Sequence, residues 1–422
     1  MRSSPVLYQL LAVSLVALTS LPVALGLEDG RIGILYVGCI ARSQPFWNMR
    51  QDPMFSLSFV QATMRDWAAW GPTQQASQGN EVQRLVRLYM PRTYNRLVER
   101  FDAIVLSNAN CFAVGPKNIE MLAQGVWEGG LGLFMSGGWE SFGGSFGRPS
   151  WGETSIGALL PTKVVEDTWI QYPRNYLIMV PVDSGNELAS SLPWDEKAPC
   201  MSDFHHNLVK LKDGAELLAK VRSAAFDNHP AMATWELENG VRTLALTGEI
   251  HRFCERGSGW EYGFDFGSNA IIYVDGRPVP QDIGLVHSVR SMIFSMATRR
   301  ALLLSLLDFC DSFGANTDRM MDRVDDVEAA MASANPKYLD LRFAEVLEDY
   351  QEIEKMYDEL ERESLKLKDR TLMWVYVIEW LAVTGTAMVS GVVLWSVMVH
   401  RRLYREVGTT KLSGIEVERE GS

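Results

Sequence analysis

The sequence predicts an α/β domain built on a mostly parallel sheet, followed by a helical coiled-coil stalk and one transmembrane helix. Three patterns predict it. Short apolar runs alternate with helix-spaced segments between residues 31 and 251, apolar positions recur every three or four residues from 339 to 367, and one long apolar run fills residues 372–399.

The first strand is read at residues 31–37, Arg-Ile-Gly-Ile-Leu-Tyr-Val, a short apolar run of the kind that a buried parallel strand shows, ending at Gly38. Residues 81–100 fit an amphipathic helix, or a helix and a turn. Residues 101–107 form the next strand and close in the polar loop Asn108-Ala109-Asn110-Cys111. Residues 118–128 have helical spacing through Ile119, Leu122 and Val126, and Gly129-Gly130 stops them. Residues 131–136 are a third strand, which leads into the glycine-rich loop Gly137-Gly138-Trp139-Glu140-Ser141-Phe142-Gly143-Gly144. Residues 243–247 read as another core strand, followed by Gly248, Glu249, Ile250 and His251. Such alternation implies right-handed crossovers, and it gathers the loops at the carboxyl ends of the strands along one edge, where α/β proteins bind ligands.

The helical part begins near Val286. Leu339, Phe343, Val346, Tyr350, Ile353, Tyr357, Leu360, Ser364 and Leu367 alternate spacings of four and three, a heptad seam rather than a 3.6-residue face. Met320, Val324, Val327, Met331 and Ala334 repeat the period, and Asn335-Pro336 is expected to separate the two seams. The seam points to self-association or to another membrane protein, with folding back of one segment on the other as the alternative.

The ends set the expected compartment. Residues 1–26 have a weakly basic start at Arg2, an apolar middle and Ala24-Leu25-Gly26 at the position of a cleavage site, the parts of a signal peptide. The run at 372–399 exceeds the roughly 20 residues needed to cross a bilayer; it carries one acid, Glu379, and tryptophans at both ends. Basic residues flank both sides, so the signal decides orientation. The expected plan is a signal peptide (1–26), an α/β domain (27–285) and a helical stalk (286–370) outside, a transmembrane helix (371–399) and a cytoplasmic tail (400–422).

Net charge of −12 argues against a nucleic-acid surface, which needs a basic patch. Five cysteines (Cys39, Cys111, Cys200, Cys254, Cys310) show no CxxC pair, and with six scattered histidines they supply no metal site. No P-loop or GxGxxG fingerprint is present, so no cofactor is expected. His205-His206 reads as a polar loop. Cys111, just after a strand, is either a buried or disulfide cysteine or a displaced nucleophile.

The segments "FDAIVLSNAN", "GGLGLFMSGGWESFGG" and "TSIGALLPTKV", with "DPMFSLSFV" before them and "HPAMATWELENGVRTLALTGE" after, resemble the glutamine-amidotransferase-like group of class I amidotransferase folds over residues 31–251. The resemblance implies a three-layer flavodoxin-like sheet. Catalytic members place a cysteine on the turn after the strand matching residues 131–136, completed by a histidine and a glutamate from a later strand. Here the turn is Ser136-Gly137-Gly138, without cysteine. Ser136, Glu249 and His251 are the catalytic candidates that remain, and Asn108, Gly137, Gly138, Trp139 and Glu140 are the ligand-pocket candidates. Trp139, Glu140, Phe142 and Trp151 either line that pocket or form an aromatic core beneath the loop. The reading is a catalytically silent, membrane-anchored binding domain; the rivals are a hydrolase or amidase with a nonstandard nucleophile and a structural coiled-coil subunit.

Overall fold

The computed structural model describes residues 29–39, 44–63, 75–144, 150–171, 178–182, 185–194, 205–222, 227–250 and 260–412. The signal at 1–26, His251, Cys200, Cys254 and the end of the tail lie outside the described residues.

Strands β1 (Ile32–Gly38), β3 (Ala103–Ser107) and β4 (Gly132–Ser136) are buried along their whole length, as their apolar runs require. With β2 (Phe55–Gln61) and β10 (Arg242–Leu246) they make a parallel set in the order β2-β1-β3-β4-β10. The crossovers carry helices α1 (Gln44–Gln51), α2 (Gln75–Tyr89), α3 (Tyr94–Val98), α4 (Cys111–Val114) and α5 (Pro116–Trp127). Proline at the first position opens α5, and Gly130 in the left-handed region follows its end.

The sheet is mixed rather than mostly parallel. Strands β9 (Asp227–Glu236), β8 (Glu216–Arg222) and β6 (Ile178–Pro181) continue it antiparallel beyond β10, to eight strands. Strands β5 (Thr162–Gln171) and β7 (His205–Leu211) form a separate antiparallel pair. Apart from the four-residue β6, these strands lack the apolar signature of a two-sided core, and Pro230 sits inside β9, where it removes a ladder donor. It is accommodated because the β8–β9 register shifts beside it. His205-His206 therefore belongs to a strand, not to a loop, and His206 is fully buried.

The chain divides into two compact units, Met1–Ala297 with Met331–Glu352, and Thr298–Ala330 with Ile353–Ser422. Besides the sheet and helices α6 (Ser155–Leu159) and α7 (Glu187–Ser190), the first unit holds α8 (Gly263–Val274), buried on nearly every side. It also holds a charge with almost no access to water. Arg290 Nη1 donates to Asp265 Oδ1 at 3.0 Å and to Asn269 Oδ1 at 2.9 Å, and its Nε donates to the Tyr338 hydroxyl at 3.3 Å. Asp52 Oδ2 lies 3.8 Å from Arg290 Nε and accepts from Ser268 Oγ at 2.8 Å. Burial raises the Asp52 carboxyl above its ordinary range although Arg290 pulls it down. The cluster draws together four separated stretches of sequence, which fixes α8 and the Arg290 and Tyr338 helices to the start of β2.

Three long helices follow: α9 (Ile283–Ser312), α10 (Asp318–Leu339) and α11 (Phe343–Leu412). Asn335-Pro336 does not separate α10 from α11. Pro336 lies inside α10, and the chain turns at 340–342, with Leu341 in the left-handed region. Proline at this position removes one intrahelical hydrogen bond and crowds the carbonyl four residues before it, but the last turn is held from outside, since Tyr338, next to the end of α10, is bonded to Arg290. The heptad seam is buried within the chain. Phe343, Val346 and Tyr350 are buried in the first unit, and Ile353, Tyr357, Leu360 and Ser364 in the second. The second unit is laced by Arg299, which reaches Asp358 at 2.5 Å and Glu361 at 2.7 Å, and by Arg323, which reaches Glu363 at 2.7 Å.

Further along α11 the character changes. Every residue from 376 to 400 is exposed, most are large and apolar, and the one acid is Glu379. The run from 372 to 399 is about 40 Å long at 1.5 Å per residue, which exceeds the hydrocarbon thickness of a bilayer. It is a helix long and apolar enough to cross a membrane.

Candidate functional site

The carboxyl ends of β3, β4 and β10 meet at one edge, and three loops interlock there. The chain leaves β3 at Asn108 with φ of 47°, an uncommon conformation that asparagine tolerates better than most residues. The Asn108 carbonyl accepts from Thr63 Oγ1 at 2.7 Å, and Asn110 caps α4 by accepting from the Ala113 N–H at 3.0 Å. After β4 the chain makes the Gly137-Gly138 turn. A Cβ on Gly137 would run into the Thr247 carbonyl, and one on Gly138 into the Asn108 side chain, so both positions require glycine.

The polar groups of this turn are engaged within the protein. Ser136 Oγ donates to the Gly248 carbonyl at 3.1 Å and accepts from the Ile250 N–H at 2.8 Å. The Gly137 N–H donates to the carbonyls of Leu246 and Gly248 at 2.7 and 2.9 Å. The Gly138 N–H goes to Asn207 Oδ1 at 2.8 Å, and the Glu140 N–H goes to Asn108 Oδ1 at 2.9 Å. Asn207 Nδ2 returns bonds to the carbonyls of Gly138 and Ser141 at 3.2 and 3.3 Å. Ser141 Oγ donates to the Ser136 carbonyl at 2.6 Å.

The structure thus brings Ser136, Gly137, Gly138, Asn108 and Glu140 together, with Glu249 just beyond β10, buried like them. His251 lies outside the described residues. Trp139 is partly exposed, whereas Phe142 and Trp151 are core residues, and Trp151 Nε1 donates to the Ala109 carbonyl at 2.7 Å. Of the two alternatives for the aromatics, Phe142 and Trp151 are loop core.

Cys111 opens α4 in this neighbourhood and is buried. Burial pushes it up to about 11, hydrogen bonds from its own and the Phe112 backbone oppose the rise, and the nearby carboxylates of Glu140 and Glu153 add to it. A reactive thiol needs the opposite surroundings, cationic and partly exposed. No group of three or more His, Cys, Asp or Glu placed to hold a metal occurs among the described residues.

Asn207 is the participant that sequence reading missed. It comes from β7, in the separate two-stranded sheet, one residue past the His205-His206 pair that drew attention. Its neighbourhood offered no local signal, since the partners Gly138 and Ser141 are more than sixty residues away.

Fold and site together define an α/β domain on a mixed sheet with an interlocked strand-end turn, attached to one helix long and apolar enough to span a membrane. No family model matches the sequence, and no curated protein matches it. Among solved structures the chain is similar to a cytoplasmic protein from Salmonella typhimurium LT2, at 15% identity and a TM-score of 0.46, over 58% of this chain and 99% of that one.

Proposed function

We propose that the chain is a single-pass membrane protein whose α/β domain is a glutamine-amidotransferase-like module of the class I type, one that binds a ligand or a protein partner and does not hydrolyse glutamine. The order β2-β1-β3-β4-β10 supports the flavodoxin-like part of this reading, because 2-1-3-4-5 is the order of that fold. The domain is assigned to the outside of the cytoplasm and the tail at 400–422 to the inside, since an expected signal at 1–26 and the apolar run at 372–399 bracket it.

The observation that carries the functional part is the state of the turn after β4. Amide hydrolysis through a covalent intermediate needs an activated nucleophile and N–H donors aimed at the position of the developing oxyanion. Here the Ser136 hydroxyl bridges Gly248 and Ile250, and the N–H groups of Gly137, Gly138 and Glu140 are already bonded. The nearby Cys111 thiol stays protonated at neutral pH. A glycine-built edge whose hydroxyl and N–H groups are already bonded suits recognition rather than bond cleavage. Purified full-length protein in detergent should release no more ammonia from glutamine than a heat-treated control. Turnover that disappears in Ser136→Ala or Cys111→Ala would overturn the reading and establish a hydrolase with a nonstandard nucleophile.

A further inference from the structure

Strand β2 is the outer strand of the eight-stranded sheet. Among the described residues it pairs with β1 alone, in unbroken register from Ile32↔Phe55 to Gly38↔Gln61. An open edge offers a row of backbone donors and acceptors, and proteins ordinarily guard it with lysine, proline, a bulge or a very short strand. The seven residues of β2, Phe-Ser-Leu-Ser-Phe-Val-Gln, include no charge and no proline, and the pairing has no bulge.

A groove of about 1170 Å³ runs along this strand. Its lining takes Leu57, Phe59 and Gln61 from one face of β2 and Ser58 from the other, so the groove follows the open edge itself. The end of α2 and the α3 turn make the opposite wall, with Leu88 and Tyr89 exposed there. Three arginines, Arg92, Arg96 and Arg100, face one acid, Glu99, in the lining. That local positive excess stands in a chain of formal net charge −12. Arg100 Nη2 donates to Ser58 Oγ at 3.2 Å, which puts this arginine on the Ser58 face of the strand.

We propose that the β2 edge docks an extended segment of a partner protein, which adds to the sheet as a further strand. Side chains of an added strand alternate between the two faces. One set meets Leu57 and Phe59 and is apolar; the other meets the arginine wall and is acidic. The partner segment is therefore one in which acidic and apolar residues alternate. A second copy of this chain, pairing β2 with β2, would bring two arginine walls together, which like-charge repulsion opposes. The surface shares no residue with the Gly137 turn, and two strands separate β2 from β4, so the proposal stands apart from the reading of that turn.

The test uses the full-length protein in detergent and a fluorescein-labelled nonapeptide of alternating glutamate and valine. Two control peptides carry lysine for glutamate, or a central proline. Binding by the glutamate peptide alone is expected, weakening with added salt, and accompanied by slowed amide hydrogen exchange within residues 55–61. Arg96→Glu with Arg100→Glu changes only exposed positions; it should weaken binding at least tenfold and transfer preference to the lysine peptide. The proposal is overturned by failure of the glutamate peptide to bind, by equal binding of either control, or by unchanged exchange in β2. It is equally overturned if sedimentation shows a dimer that Phe59→Glu dissociates while no peptide binds.

Discussion

Replacing Arg290 by methionine would leave Asp52 and Asp265 without their guanidinium in a site from which water is excluded. Removing one partner of a buried charge cluster costs about 3–5 kcal/mol, because the remaining charge is uncompensated. We predict a loss of that size in the denaturant midpoint of the full chain in detergent, and partial recovery when Asp52→Asn and Asp265→Asn are added. An unchanged midpoint would show that the cluster is not part of the cooperative core. Asp275 gives a pH-dependent counterpart. Burial pushes its carboxyl up to about 6, Arg277 at 2.8 Å pulls it down, and Asp102 raises it further. A folded value above the unfolded one means a stabilising share that is full below about pH 4 and lost as pH rises through about 6, on the order of 3 kcal/mol. Asp275→Asn should therefore lose less stability than the wild type between pH 4 and 7, with a remaining slope from Asp102, whose carboxyl burial also raises. Equal slopes would contradict the assignment. These residues were not legible as a group in the sequence. Asp52 stood out only within an apolar segment, and Asp265, Arg290 and Tyr338 become neighbours through tertiary packing alone. The Ser136-Gly137-Gly138 turn, by contrast, was legible, because glycine leaves a local mark where backbones approach closely.

The buried strands and the helices were readable in proportion to the regularity of their apolar pattern. β1, β3, β4 and β10 are buried where they were expected, since a strand covered on both faces must be apolar at every position. Of the antiparallel strands, β8 and β9 carry mixed side chains, β6 is only four residues long, and β6 and β9 each contain a proline, so none shows a strong strand pattern. The heptad seam was legible as a buried stripe, but spacing does not record which helix covers it. Its members are buried inside the chain, so a charge placed there acts on folding. We predict that Val346→Asp, at a fully buried position, lowers stability by roughly 2–5 kcal/mol, the cost of burying an unpaired polar group in place of an apolar one. A variant of wild-type stability with a smaller assembly mass would instead place the seam between chains. Pro336 teaches the same point in reverse, since a strong local breaker sits within α10 while the turn falls at Leu341.

At the scale of the whole molecule, the exposed apolar stretch of α11 is the longest such run among the described residues. A contiguous apolar surface of this extent is not stable in water and marks a membrane or a protein interface, and its length and single acid fit the former. Orientation rests on the expected signal at 1–26 and the stop-transfer character of 372–399. The proposed placement of the α/β domain outside the cytoplasm is tested most directly by adding protease to intact cells that carry tags at the tail and within the domain. Digestion between residues 27 and 370 is expected, with the tail tag at 400–422 spared. Protection of the domain, with or without loss of the tail tag, would contradict it.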